Sequence, residues 1–201
     1  MNYIKDINIK ESNLYQVIIE IPKGTKNKYE LEPDTFERVY KDRKVKCKYP
    51  YYYGCFPQTL AGDKDPLDMI LISNKKKEIL DIVKVIPIGM IRTIDFGDID
   101  DKVIVVAYDE KIKNIEKELK KVYKFLARYK GNKAHMIIDE TFYDENYAKK
   151  IIEIAHKNYT TNTIDDTNYP KFKDLEYYKW FPEDKKEETI KRKNDDGLSS
   201  F

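Results

Sequence analysis

Apolar and polar residues interleave from Leu14 to Pro22, where Tyr15, Val17, Ile19 and Ile21 alternate with Gln16, Ile18 and Glu20. A period of two with β-branched side chains predicts a β-strand. Pro22-Lys23-Gly24-Thr25 ends it, and Lys28 to Leu31 is expected to be the partner strand of a hairpin. A third extended stretch runs to Tyr53 and stops at Gly54. Leu67 to Ser73, Ile82 to Arg92 and Val103 to Ala107 are further predicted strands, rich in Ile and Val. Short strands separated by Gly and Asp turns predict a small barrel.

The period then changes. Ile112, Ile115, Leu119, Val122, Phe125, Leu126 and Tyr129 recur mostly at steps of three and four, which makes one face of an amphipathic helix that Gly131 stops. Asp144 is the expected N-cap of a second helix, with Ala148, Ile151, Ile152 and Ala155 facing inward. After Tyr159 the pattern dissolves into a polar stretch, an aromatic one (Tyr169 to Pro182) and a run of mixed charge (Glu183 to Lys193). The expected division is a barrel with two helices over residues 1–160 and a C-terminal extension over 161–201, partly disordered or packed on the barrel.

Charge narrows the function classes. Lys plus Arg is 38 against 36 for Asp plus Glu, a formal net charge of +2, so no global field steers the chain to nucleic acid or an acidic membrane. Any anion site must be local. No apolar run approaches the ~20 residues that span a bilayer, and the first residues carry no signal-peptide core, so a cytoplasmic protein is expected. Cys47 and Cys55 cannot build a disulfide framework, and His135 and His156 are too far apart for a zinc motif.

The chemistry lies in acids that folding does not require. Asp63, Asp65 and Asp68 fall within six residues at the start of a predicted strand, and Asp95, Asp98, Asp100 and Asp101 within seven, again between strands. One acidic loop is most often only a turn; two at strand ends are harder to dismiss. A calcium loop fits the first poorly, because Asp68 and Asn74 stand where that motif needs Gly and Glu. Carboxylates this dense repel one another unless cations intervene, and oxygen-only ligands favour Mg²⁺ or Mn²⁺. Lys28, Arg43, Lys102 and Lys130, with Tyr53 and Tyr129 among them, sit beside predicted strand or helix ends. Each alone reads as a surface charge or a packed ring. Together with the acids they make a divided site, carboxylates for metals and cations for phosphate, as phosphoryl transfer needs. The rival readings are a barrel that stacks single-stranded nucleic acid on its aromatics and a non-catalytic metal-binding module.

Several spaced motifs resemble the family I soluble inorganic pyrophosphatases. They are Ile19-Glu20-Ile21-Pro22-Lys23-Gly24, Asn27-Lys28-Tyr29-Glu30, Tyr49-Pro50, Tyr53-Gly54, Thr59-Leu60-Ala61-Gly62, the Asp-x-Asp-Pro-x-Asp signature at Asp63, Asp65, Pro66 and Asp68, Ile88-Gly89, Asp95 to Lys102, and Tyr129-Lys130. The resemblance implies an OB-type five-stranded β-barrel flanked by helices, and hydrolysis of pyrophosphate to two phosphates by a metal-activated hydroxide, with several Mg²⁺ ions per site. It implies that Asp63, Asp68, Asp95 and Asp100 are metal ligands and that Asp65 is the base beside the attacking water. Glu20 and Glu30 resemble accessory acids; Lys28, Arg43, Tyr53, Lys102, Tyr129 and Lys130 resemble groups that hold phosphate. Implied partners are pyrophosphate and further copies of the chain, as a dimer or hexamer, with neither nucleic acid nor membrane. Lys64 departs from the pattern, standing where many members carry Gly, and Phe96 takes a position that is acidic in some members.

Overall fold

A computed structural model describes residues 1–129 and 136–164. The chain runs through β1 (Lys10–Glu11), β2 (Leu14–Ile21), β3 (Asn27–Leu31), β4 (Val39–Lys44), β5 (Tyr52–Cys55), β6 (Asp68–Ile72), β7 (Ile82–Asp95), β8 (Asp98–Ile99) and β9 (Lys102–Ala107). It continues with α1 (Ile115–Tyr129), β10 (Met136–Tyr143) and α2 (Glu145–Thr161). Five strands close a ring in the order β2-β5-β6-β9-β7 and back to β2, which is the expected OB-type five-stranded barrel. All of its pairings are antiparallel except β6 with β9. The long β7 serves several partners in turn: β2 at its start, β9 along its middle, and β8 and β10 at its end. At Gly54 a Cβ would lie 1.9 Å from the Ile18 carbonyl oxygen, so the absence of a side chain lets β5 lie against β2.

Alternation along the ring strands builds two cores. Val17, Leu71, Val85 and Val105 belong to one, which α2 closes with Ala148, Ile151, Ile152 and Ala155. Ile70, Ile91 and Ile104 point the other way and are covered by α1 through Val122, Phe125 and Leu126. Each helix starts as its sequence dictates. Asn114 Oδ1 accepts the Lys117 N–H at 2.9 Å ahead of α1, and Asp144 Oδ1 accepts the Tyr147 N–H at 2.9 Å ahead of α2.

Two expectations change. Lys28 to Leu31 is not the hairpin partner of β2; β3 pairs with β4 in a separate two-stranded ribbon, with Glu30 opposite Tyr40. The reason is that ring closure already occupies β2, through β5 and β7. The partner strand β4 is exposed along almost its whole length and so lacks the half-buried alternation that marks a strand. The second change is an unanticipated strand, β10, pairing Met136 with Asp95 and Ile138 with Thr93. Its apolar ends are separated by Asp139-Glu140-Thr141, and a register shift falls between Ile138 and Phe142, so no regular period is visible. Gly131 and most of the proposed extension lie outside the described residues.

Candidate active site

Strand register assembles the centre of the site. Met69 sits beside Val103 across the parallel β6–β9 pair, so one step back brings Asp68 beside Lys102. Tyr53 lies opposite Ile70, which makes it the diagonal neighbour of Asp68 on the same face. Lys102 is 1% exposed, and its ammonium donates to both Asp68 Oδ2 and Asp100 Oδ1. The Tyr53 hydroxyl donates to the same Asp68 oxygen, and its ring lies 5.8 Å from the Lys102 nitrogen. Burial works to raise Asp68, but Lys102 and Tyr53 outweigh it and hold the carboxyl below the usual range.

The two acidic loops meet at Gly62, where a Cβ would fall 2.9 Å from the Ile99 Cβ. The first loop is tightened by the Ala61 N–H donating to the Asp65 carbonyl at 2.8 Å and the Asp65 N–H donating to Asp63 Oδ1 at 3.1 Å. Between those acids Lys64 adopts a φ of 74°, the left-handed region that favours glycine. The second loop turns tightly through Phe96 (φ 51°) and Gly97 (φ 99°), which fits a type I′ hairpin between Asp95 and Asp98. Asp95 closes β7 two residues beyond Thr93, whose carbonyl accepts the Asp100 N–H at 2.9 Å.

Charge couples these acids. Burial and the Asp68 charge push Asp63 up to about 6. Burial also raises Asp65, with Asp68 and Glu30 adding to it. Asp100 is pushed up to about 7 by burial, Lys102 opposing and Asp68 and Asp63 reinforcing. Glu20, 9% exposed, is pushed up to about 8 by burial and the charges of Asp68 and Glu30, although it accepts the Leu31 N–H at 2.8 Å.

Cations and phenols approach from three sides. On the β3–β4 ribbon, Lys28 pairs with Glu30 and lies 3.8 Å from Asp42, which also pairs with Arg43. Burial opposes it, but Lys28, Tyr40 and the charge of Arg43 hold Glu30 below the usual range. Tyr129 ends α1, stacked 4.9 Å from Phe125; burial pushes its phenol up, and the charges of Lys102, Asp100 and Asp68 all reach it. Lys130 lies outside the described residues.

The structure thus brings Glu20, Lys28, Glu30, Tyr53, Asp63, Asp65, Asp68, Asp100, Lys102 and Tyr129 into one electrostatic neighbourhood, with Arg43 at its edge. It adds roles that the sequence did not assign. Tyr49 packs 5.7 Å from Tyr53 within reach of the charges of Asp68, Arg43 and Lys102. Asp42 and Tyr40 become visible only once β3 is paired with β4. Asp101 has a different task from its neighbour Asp100. It forms a buried ion pair with Arg92 at 3.3 Å and accepts the Thr93 N–H at 3.1 Å, anchoring the second loop to β7.

The donor set suits a hard divalent ion, being all oxygen and raised by burial and by neighbouring acids, both of which a bound cation would offset. Among the described residues, no three acidic, histidine or cysteine side chains converge closely enough to encage an ion alone.

Comparison with known proteins points the same way. The sequence model of a family described as inorganic pyrophosphatase matches residues 17–160. Soluble inorganic pyrophosphatase 2 of Chlamydomonas reinhardtii is 32% identical over 164 residues, covering 76% of this chain and 84% of that protein. The inorganic pyrophosphatase of Synechocystis is 34% identical over 161 residues, covering 74% and 94%. The crystal structure of inorganic pyrophosphatase from Thermus thermophilus superposes with a TM-score of 0.71 at 26% identity, covering 79% of this chain and 99% of that one.

Proposed function

The chain belongs to the inorganic pyrophosphatase family and hydrolyses pyrophosphate to two phosphates; from that premise we propose how its residues divide the work. Asp65 takes the proton of the attacking water, Asp63, Asp68, Asp95 and Asp100 would hold the metal, and Glu20 and Glu30 would serve it as accessory acids. Lys28, Arg43, Tyr53, Lys102, Tyr129 and Lys130 hold the two phosphates. The observation that carries this reading is the Lys102 ammonium bonded to both Asp68 and Asp100, with the Tyr53 hydroxyl on the same Asp68 oxygen, where the two acidic loops meet.

We propose Mg²⁺ as the metal, several ions per site; when bound it lowers the pKa of the attacking water and offsets phosphate charge. The protein's own share is positional. Asp65 stands on a tightened loop, more exposed than Asp68, and burial with the charges of Asp68 and Glu30 raises its affinity for a proton. Lys102 is tied to Asp68 and Asp100, two of the residues that would hold metal, and would lend its charge to a phosphate bound beside them. Arg43, with its forked guanidinium, offers a bidentate contact that a lysine could not. The water's oxygen attacks phosphorus, the bridging P–O bond breaks, and Lys28, Lys102, Tyr129 and Lys130 share the charge of the departing phosphate.

The same reading extends to a cytoplasmic homo-oligomer, dimer or hexamer, and to a functional unit ending near residue 160. The resemblance supports these extensions, and sedimentation velocity distinguishes the assemblies. The defining experiment is phosphate release from pyrophosphate with and without Mg²⁺. Turnover that needs both is expected; a purified, folded protein that releases no phosphate would overturn the assignment.

A further inference from the structure

The β3–β4 ribbon carries three of the site's groups, Lys28, Glu30 and Arg43, and is a separate sheet joined to the ring by the Leu31 N–H donating to Glu20. Its strand β4 is exposed along almost its whole length, so side chains on the ribbon need local fixing. Glu30 has such a fixing. Its Oε1 is bonded by the Lys28 ammonium, and its Oε2 accepts the Tyr40 hydroxyl at 2.8 Å. The second bond follows from register, since Tyr40 is the residue directly opposite Glu30. Glu30 in turn is close enough to Asp65 and Glu20 for its charge to act on both, and the Asp65 charge reaches the Tyr40 phenol.

We infer that Tyr40 is a positioning residue for Glu30, holding one carboxylate oxygen from β4 so that Glu30 keeps its orientation when Lys28 turns to phosphate. The asymmetry between the two partners is what gives Tyr40 this part. Lys28 is a flexible point charge that the proposed reaction recruits for substrate. Tyr40 is a rigid ring on the facing strand, with its hydroxyl as its only polar group. Without that hydroxyl, Glu30 would follow the lysine.

The inference rests on the proposed hydrolysis, and its test separates the two. Wild type, Tyr40→Phe, Glu30→Ala and the double variant are compared for kcat, KM for pyrophosphate, Mg²⁺ binding by calorimetry with inorganic phosphate present to draw Lys28 away, and Tm. Tyr40→Phe keeps the ring and removes only the donor. Its kcat should fall about threefold to tenfold, a charged hydrogen bond discounted for exposure, while KM and Tm hardly move. In the Glu30→Ala background the same change should be silent within about 1.5-fold, because the group it positions is gone. An unchanged kcat in Tyr40→Phe, or an equal loss in both backgrounds, would overturn the inference. If wild type releases no phosphate, the hydrolysis reading fails and the calorimetry decides for Tyr40. Weaker Mg²⁺ binding in Tyr40→Phe with no further weakening in the double variant supports it; an unchanged isotherm overturns it.

Discussion

The same strands have two faces with different tasks. On β6, Met69 and Leu71 enter the core closed by α2, whereas Ile70 and Ile72 lie under α1. The second face continues past its apolar part to Asp68, just as β9 runs from Ile104 back to Lys102. The first face is apolar except for the buried Arg92–Asp101 pair, which ties the second acidic loop to β7 and reaches the Tyr147 hydroxyl on α2; the other is apolar along its length and ends in the charges that line the site. The charged end is costly. A buried ammonium between two carboxylates seldom stabilises a fold more than apolar side chains of the same volume would. Lys102 with Asp68 and Asp100 therefore marks the place where stability gives way to chemistry. Because successive residues alternate, the barrel can carry that charge without disturbing the core one residue away.

Substitutions on the two faces should separate rate from stability. The largest effect belongs to Asp65→Asn, with a rate loss on the order of 10²-fold or more if it accepts the proton. Stability should not fall, because Asp65 sits among acids that raise its pKa, and neutralising it removes repulsion. Thermal unfolding beside steady-state rates checks both halves, and a large drop in Tm would move Asp65 to the structural side. On the other face, Leu71→Ala deletes a fully buried side chain and should cost about 2–5 kcal/mol in denaturant unfolding. Its kcat should stay within about twofold of wild type below the transition, since packing sites without shared partners act independently. A rate loss as large as that of Asp65→Asn would mean that the two faces are not separable. The smallest effect is expected at Lys64, whose left-handed φ of 74° places strain between two site acids. Lys64→Gly should raise stability by at most about 1 kcal/mol, strain relief partly offset by the freer unfolded chain. Assayed in parallel, its rate should hold; a tenfold loss would show that the cation itself takes part.

The face with regular alternation was the legible one. Val17 and Ile19 announced β2, and Ala148, Ile151, Ile152 and Ala155 announced the buried side of α2. The acids were legible as clusters, since seven carboxylates in two short loops are more than two turns require. Their division of labour was not. Asp100 and Asp101 are alike in sequence, and only the placement of Arg92 on β7, beside the chain that carries Asp101, turns Asp101 into a structural anchor. Tyr40 was hidden for a related reason. Its role depends on a cross-strand register, and β4 is too exposed to show itself by periodicity. Single residues reveal themselves by type and spacing, whereas pairs need the pairing of strands.

The base and the ligand are told apart by the dependence of rate on Mg²⁺ in Asp65→Asn and Asp68→Asn at saturating pyrophosphate. An amide at position 68 weakens the hold on metal, so high Mg²⁺ should restore part of the lost rate. An amide at position 65 removes the proton acceptor, and no Mg²⁺ concentration should restore it. Full recovery of Asp65→Asn at high Mg²⁺ would contradict its assignment as the base and make it another metal ligand.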